Sequence, residues 1–387
     1  MPGADAALSG RHYLDHASTS VLRPEAARAM AAWLGAGWAG DPGRVHAEGH
    51  LARDAIETAR ESVATLLGTT ANRVVFTSGG TEAVNAAIFA AGRARPGAPM
   101  ICADVEHSCV REAARRSGPV AVLRVDTAGR VDLDHLRALL DGEPRPALVN
   151  CQWCNHEVGT VQPVADVVAR CRSAGVPVHL DAAAATGHVP AELDELGADL
   201  VSVSAHKLGG PPGIGALVVR RGRRLEPFVI GGAQERARRG GLENVVGIVG
   251  FGAAAGALLA PGALEAEAAV ARRLSDALVA AAVRVEDVQQ LGDPIDRAPH
   301  IVSVAVGGVQ AEAVLLGLDR MGVAAHSGSA CSSESIEPSP VLAAMRVDPD
   351  RSLRLSVGWS TTDADVEAFA AAFPNVVKGL RSLGAST

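Results

Sequence analysis

The chain has 387 residues, of which 48% are hydrophobic and 20% are charged, a composition that supports a large core and excludes an intrinsically disordered protein. Its formal net charge is −7 and its basic residues are spread along the sequence, so direct binding to nucleic acid is not expected. The sequence has no signal-peptide pattern and no run of about 20 uncharged apolar residues, so we expect a cytoplasmic protein that does not enter a membrane.

Residues from about 50 to 220 alternate short β-branched runs with longer amphipathic stretches. In chain order the predicted strands and helices are RVVF and TEAVNAAIFAAGRA, APMICAD and CVREAARRS, ALVNCQW and VADVVARCRSAG, and then the strands PVHLD and ADLVSVS. This alternation predicts βαβ crossovers and a mainly parallel sheet. Ligands of such sheets lie beyond the carboxyl ends of the strands.

After about residue 258 the pattern changes. A long Ala/Glu/Arg helix is followed by HIVSVAV, AEAVLLGLDRMG, the small-residue segment HSGSACSSES, LRLSVG and DADVEAFAAAF, which together predict a smaller α+β unit. We therefore predict an α/β fold with a large domain over residues 19–258. Residues 1–18 and 259–387 would form the small domain.

The cysteines of this chain do not resemble a disulfide framework, because six in 387 residues are too sparse, and a reducing compartment is expected. Cys151 and Cys154 form a C-x-x-C pair, which elsewhere is typical of a redox couple or of half a zinc site. No second ligand pair follows at metal spacing. We therefore expect these thiols to pack in the core, and we predict no metal site.

Three strand ends carry polar groups that suit one cofactor. After RVVF, Gly80 and Thr81 begin a helix whose free N–H groups and dipole favour a phosphate, although this motif alone is also an ordinary helix start. PVHLD ends in Asp181, and ADLVSVS leads into Lys207. Pyridoxal 5′-phosphate (PLP) requires a lysine for its aldehyde and a carboxylate for its pyridine nitrogen. The three features together therefore predict a PLP site.

These residues resemble the cysteine desulfurases of the class V aminotransferase family, which are fold-type I PLP-dependent transferases, and specifically the branch with the longer catalytic loop. The similarity runs from YLDHAST at residue 13 to LRLSVG. Its most specific pieces are SGGTEAVN, SAHK, and SGSACSS with the IEPS that follows. The resemblance implies PLP as cofactor and L-cysteine as substrate.

The resemblance implies cofactor-binding roles for the matching residues. Lys207 would be the Schiff-base lysine, and Asp181 the partner of the pyridine nitrogen. His107 would stack on the ring and exchange protons with the substrate. The phosphate would be held by Gly80, Thr81, Ser204 and His206.

The resemblance also implies which residues meet the substrate. Arg354 would bind the substrate carboxylate with its planar fork, near Asn155 and His16. Cys331 would be the nucleophile that takes the sulfur as a persulfide, after which alanine leaves. The Ser, Gly and Ala residues around Cys331 are not core composition, which argues against the alternative of a small buried apolar residue.

Several positions depart from the family pattern. His156 stands where the family has a second asparagine, and Ala184 where it has a glutamine that bonds the PLP phenolic oxygen. We hypothesise that His156 fills the space and the hydrogen-bonding role that these two residues usually share. Leu242 replaces a threonine that reaches the neighbouring subunit's phosphate, and His16 replaces an asparagine.

The resemblance further implies a homodimer and a sulfur-acceptor protein. The acceptor would serve iron–sulfur assembly, tRNA thiolation or DNA phosphorothioation, and a role in DNA modification would operate through partner proteins. Two other functions stay open. One is a PLP-dependent cysteine lyase or aminotransferase, which needs no nucleophilic Cys331, and the other is a sulfur-relay docking protein with weakened PLP chemistry.

Overall fold

The computed structural model describes residues 10–37, 40–327 and 338–384. In chain order its strands are β1 His12–Tyr13, β2 Val74–Thr77, β3 Met100–Ala103, β4 Val120–Leu123, β5 Leu148–Gln152, β6 Val178–Asp181, β7 Leu200–Ser204, β8 Gly215–Val219, β9 Val288–Leu291, β10 Ile301–Val306, β11 Val323–Ala324, β12 His326–Ser327 and β13 Ser352–Ser356.

The helices of the described residues fall in the predicted amphipathic stretches and between them. They are α1 Pro24–Gly35, α2 Ala47–Leu66, α3 Gly80–Ala94, α4 Ser108–Ser117, α5 Leu133–Leu140, α6 Val164–Ala174, α7 Leu193–Leu196, α8 Val245–Gly256, α9 Ala263–Ala282, α10 Ala311–Arg320, α11 Pro340–Ala344 and α12 Asp363–Gly384. Short 3₁₀ helices cover Ala71–Arg73, Ala205–Lys207 and Pro349–Arg351. Within the described ranges, no helix combines the length and the apolar character needed to cross a membrane.

Seven strands form the central sheet, in the order β2-β8-β7-β6-β5-β3-β4. β8 pairs antiparallel with β2 and β7, and the remaining pairs are parallel. The prediction of an α/β fold with a mainly parallel sheet is therefore confirmed. The core strands β5 and β7 are buried at every position because helices cover both faces, as βαβ crossovers require.

The parallel register brings polar strand ends to one edge of the sheet. Gln152 lies opposite Asp181, and Asp181 lies opposite Ser202. β7 ends at Ser204, and the 3₁₀ helix that follows it carries Lys207. Parallel strands all point their carboxyl ends the same way, so residues far apart in sequence meet here.

The C-terminal half builds a second, four-stranded antiparallel sheet in the order β12-β13-β10-β9. β1 pairs in parallel with β11, and this pairing holds the N-terminal segment against the C-terminal half. Leu14 accordingly lies in a hydrophobic cluster formed otherwise by residues between 271 and 377. Separate clusters pack on the large sheet.

A strained turn at Gln234–Ala237 follows the large sheet. Glu235, Arg236 and Ala237 all have positive φ angles, of 47°, 58° and 61°. Such angles are unfavourable for residues with a side chain, and surrounding contacts must hold them. The Glu235 carboxylate accepts hydrogen bonds from Arg60 Nη1 and Nη2, at 2.6 and 2.8 Å, and from the Phe76 N–H at 2.9 Å. This buried ion pair fixes the turn.

Candidate active site

A cavity of about 320 Å³ lies at the carboxyl edge of the large sheet, which is the size range of small-ligand pockets. Its wall contains most of the residues that the sequence predicts for a PLP site. These are Gly80, Thr81, His107, His156, Asp181, Ser204, His206, Lys207 and Arg354.

One end of the cavity suits a phosphate. Helix α3 begins at Gly80, so its first free N–H groups and the positive end of its dipole lie there. Ser204 Oγ is buried in the cavity wall and has no hydrogen-bond partner among the described residues. The space above Gly80 is limited, because a Cβ at this position would lie 3.4 Å from Ser204 Cβ. A buried hydroxyl without a partner, beside a helix start, fits a phosphate oxygen.

Asp181 and Lys207 occupy the middle of the cavity. Asp181 Oδ1 accepts hydrogen bonds from the Ala183 N–H at 3.0 Å and from the Ser202 hydroxyl at 3.1 Å. Lys207 Nζ donates to the backbone oxygen of Ser18 at 3.0 Å and also to that of Ala17. The carboxylate is therefore fixed by the sheet, while the lysine is held by the N-terminal segment.

His107 is the N-cap of α4, and its orientation follows from that position. The Cys109 N–H donates to His107 Nδ1 at 3.2 Å, and Cys109 Sγ lies 3.1 Å from the same nitrogen. Because Nδ1 accepts a hydrogen bond, a neutral ring carries its proton on Nε2. Burial lowers the pKa of His107, and the Asp181 carboxylate acts in the opposite direction. The His107 ring packs edge-on against His156, with centroids 5.0 Å apart.

Arg354 enters the cavity from β13 of the smaller sheet. Its Nη1 donates to the His156 backbone oxygen at 2.8 Å. Its Nη2 donates to Asp15 Oδ1 at 2.9 Å and to Ser18 Oγ at 2.6 Å. The Nε–H is buried and has no partner among the described residues. The guanidinium is thus anchored but retains one donor, the second N–H of Nη1, for a carboxylate.

Two buried carboxyl groups flank the cavity. Burial raises the pKa of Glu106 to about 8, and the nearby Asp181 charge adds to this shift. Burial also raises the pKa of Glu157 to about 7, although the Ser339 hydroxyl, which donates to Glu157 Oε2 at 2.6 Å, opposes the shift. Ser339 caps α11, the helix that follows the segment containing Cys331.

Asn155 and His16, two of the predicted site residues, do not line this cavity. Asn155 is fully buried, and its Oδ1 accepts the N–H groups of Glu157 and Val158. His16 is 2% exposed and lies 2.9 Å from Ser20 Oγ, with its other nitrogen directed to Thr361. Both residues therefore shape the wall from behind. Cys331 lies outside the described residues.

Of the residues that depart from the family pattern, two line the cavity and a third is exposed at the surface. Ala184 and His156 both line the cavity. Leu242 is 63% exposed. Arg239 pairs with Glu82 of its own chain at 3.0 Å.

The cavity wall also contains Cys154, which the sequence predicted only as a core thiol. The sequence did not single out the other lining residues Ala17, Ser18, Cys109, Gln152 and His326. The position of Cys109 two residues after His107, in the first turn of a helix, could have indicated it. Cys151 and Cys154 are buried, as expected from packing, and no group of metal-ligating side chains is found in the described part of the chain.

The cavity fits PLP on the chemistry of its walls. It offers a helix start with an unpartnered buried hydroxyl for the phosphate, a fixed carboxylate for the pyridine nitrogen, and a lysine for the aldehyde.

Comparisons with known proteins agree with this geometry. The family model described as aminotransferase class-V matches residues 12–369. A cysteine desulfurase of Trichormus azollae is 39% identical, with 96% of this chain and 94% of that protein covered. A NifS-like protein from Rickettsia africae has a solved structure with a TM-score of 0.87 at 28% identity, covering 95% of this chain and 99% of that one.

A further solved structure, that of SspA in complex with cysteine, has a TM-score of 0.77 at 27% identity and covers 91% of this chain and all of that one. These similarities extend over nearly the whole sequence. The chain therefore belongs to the class V aminotransferase family, and within that family it groups with the cysteine desulfurases.

Proposed function

We propose that this protein is a PLP-dependent cysteine desulfurase, which converts L-cysteine to L-alanine and collects the sulfur as a persulfide on Cys331. The observation that carries the proposal is that Asp181, Lys207, Ser204 and Arg354 face one cavity although they come from separate elements. The cysteine desulfurase relatives and the cysteine complex of SspA support the choice of substrate.

PLP, when bound, supplies an electron sink that makes loss of the substrate α-proton feasible. The residues around it have distinct tasks. Ser204, Thr81 and the α3 N-terminus would hold the phosphate, and Asp181 would stabilise positive charge at the pyridine nitrogen. Lys207 would hold the aldehyde through its Nζ.

Arg354 and His107 act on the substrate. The second N–H of Arg354 Nη1, which has no acceptor among the described residues, would bind the substrate carboxylate and so orient the molecule. By resemblance to the family, His107 would exchange protons with the substrate. Its lowered pKa keeps a neutral form available at neutral pH, as a proton-transfer group requires.

Cys331 completes the reaction as the nucleophile. Its thiolate attacks the substrate sulfur, a sulfur–sulfur bond forms, and the carbon–sulfur bond breaks. The electron pair of the broken bond stays with the substrate carbon, which is protonated as alanine is released. The persulfide retains the sulfur until an acceptor protein takes it.

The assembly and cellular setting are part of the same proposal. We propose a large domain over residues 19–258, a small domain from residues 1–18 and 259–387, and a homodimer. Exposed Ile230 and Leu242, at 81% and 63%, offer apolar surface near the Gln234–Ala237 turn for a second copy. The five cysteines of the described residues are free, which fits a reducing cytoplasm.

The decisive experiment measures alanine and sulfide release from L-cysteine by the wild type and by Cys331→Ser, with PLP absorbance recorded. Cys171→Ala, at a buried and distant cysteine, is the matched control. We expect the Cys331 variant to keep PLP and to release neither product, while the control stays active. A Cys331 variant as active as the wild type would refute the nucleophile and favour a lyase or aminotransferase. A wild type that binds no PLP would favour a docking protein.

The exchange at positions 156 and 184 has its own test. If His156 has taken over the contacts that an asparagine and a glutamine usually share, His156→Ala loses PLP or shifts its absorbance. Ala184→Gln should then be tolerated. The opposite pattern, with His156→Ala unchanged, would contradict this assignment.

A further inference from the structure

A chain of buried polar side chains extends from Asp181 into the core of the large sheet. The Ser202 hydroxyl lies 3.1 Å from Asp181 Oδ1 and 3.1 Å from His179 Nε2. His179 Nδ1 lies 3.0 Å from Asn150 Oδ1. Ser202, His179 and Asn150 are each 0% exposed. None of these residues reaches the cavity, so they meet the cofactor site only through Asp181.

The protons of this chain can be counted. Asn150 uses its Nδ2–H groups toward the backbone oxygen of Ile101, at 3.3 Å, so its Oδ1 accepts from His179 Nδ1–H. Burial lowers the pKa of His179 to about 4, so the ring is neutral at neutral pH and Nε2 carries an electron pair. Two acceptors, His179 Nε2 and Asp181 Oδ1, therefore contact one hydroxyl.

Ser202 has a single hydroxyl proton and must choose between these acceptors. It donates to Asp181 while that carboxylate is charged, because charge-assisted hydrogen bonds are the stronger ones. It turns to His179 when a proton has neutralised the carboxylate. Ser202 therefore stabilises the charged form of Asp181. His179 stabilises the neutral form, because it accepts the Ser202 proton when the hydroxyl turns away from Asp181.

We propose that Ser202 and His179 are positioning residues that act in opposite directions on the charge of Asp181. The proposal rests on the assigned role of Asp181 as partner of the pyridine nitrogen. Loss of the Ser202 hydroxyl makes the carboxylate a stronger proton acceptor. Less positive charge then stays on the PLP ring, and the nitrogen that links Lys207 to PLP becomes more basic.

The test is a pH titration of the visible absorbance of bound PLP in the purified holoenzyme without substrate. In Ser202→Ala we expect the midpoint to rise by about one pH unit, the scale of one charge-assisted hydrogen bond. Ser202→Thr retains the hydroxyl and should restore the wild-type midpoint. In His179→Phe the competing acceptor is lost, so the midpoint should fall.

A matched control is Ser303→Ala, since Ser303 is a 1%-exposed serine on β10 whose hydroxyl has no partner among the described residues. Glu106, His107 and Cys109 also act electrostatically with Asp181, but they are present in every variant and cannot cause shifts of opposite sign. The proposal would be overturned by equal midpoints in Ser202→Ala and the wild type. It would also be overturned by midpoint shifts of the same sign in Ser202→Ala and His179→Phe.

The midpoint needs no turnover of cysteine, so this result is independent of the Cys331 experiment. The proposed roles of Ser202 and His179 can be refuted in a protein that has desulfurase activity. They can also be supported in a protein whose Cys331 variant remains active. If Ser202→Ala does not fold, a midpoint in His179→Phe below that of the wild type still supports the proposal, and an equal or higher midpoint overturns it.

Discussion

Arg354→Lys tests the substrate-binding part of the site at fixed charge. Arginine has five N–H donors, and three of them are directed to the His156 backbone oxygen, Asp15 Oδ1 and Ser18 Oγ. Of the remaining two, the Nε–H is buried, so the second N–H of Nη1 is the donor left for the substrate carboxylate. A lysine ammonium has three donors, which the same three protein acceptors would take.

The variant should therefore lose one charge-assisted hydrogen bond to the substrate. Such a bond contributes about 2 kcal/mol, which corresponds to a fall in kcat/KM of about 30-fold. Steady-state alanine release over a range of cysteine concentrations measures it. The fall in kcat/KM should come mainly from an increase in KM, and the absorbance of bound PLP should stay as in the wild type.

Arg351→Lys is the matched control, because Arg351 is an exposed residue three positions away that pairs with Asp348. It should leave both kinetic constants unchanged. A KM for Arg354→Lys within threefold of the wild type would refute the donor count and remove Arg354 from the substrate site. Loss of PLP without a change in KM would show that Arg354 supports the cofactor instead.

Further predictions concern stability, pH and thiol reactivity. Glu235→Ala leaves Arg60 buried without its partner and should lower the free energy of unfolding, measured by urea titration, by about 3–5 kcal/mol. Glu226→Ala removes an exposed pair with Arg93 and should lower it by less than about 1 kcal/mol, so similar losses in both variants would contradict the burial argument. The folded-state pKa of Glu157, about 7, exceeds its ordinary value of 4.5, so its contribution to stability is complete below pH 4.5 and is lost as the pH rises through 7. Glu157→Gln should therefore flatten the decline in melting temperature between pH 5 and 8, and an unchanged slope would show that Glu157 ionises freely. Burial raises the pKa of all five described cysteine thiols, which lowers their reactivity at neutral pH. Iodoacetamide at pH 7 should therefore label Cys331 before the other cysteines. Rapid labelling that persists in Cys331→Ser would refute this order of reactivity.

Much of the large sheet could be predicted because its signal is local. β-branched runs such as RVVF and ADLVSVS alternate with amphipathic helices, and a strand buried on both faces needs a continuous apolar run. The polar residue that ends such a run is visible in the sequence. Asp181, Ser204 and Lys207 were found in this way, and the structure brings them to one cavity.

The wider set of cavity residues depended on contacts between distant segments. Pairing of β1 with β11 places Ala17 and Ser18 next to Lys207, and no local pattern encodes that contact. Asn155 and His16 were predicted at the substrate, yet the turn formed by Glu157 and Val158 and the contact with Thr361 hold their side chains behind the wall.

The amino-acid sequence by itself determined the α/β class, the order of strands and helices, and the residues that point to PLP, because each follows from periodicity or from a motif within a few positions. Tertiary structure alone decided which hydrogen-bond donors remain for ligands. Arg354 keeps one Nη1 donor because acceptors from two other segments take three of its N–H groups and its Nε–H is buried, and Ser202 becomes a switch because β6 and β7 align it between Asp181 and His179. Donor counts of this kind depend on distances between atoms, which a one-dimensional pattern does not contain.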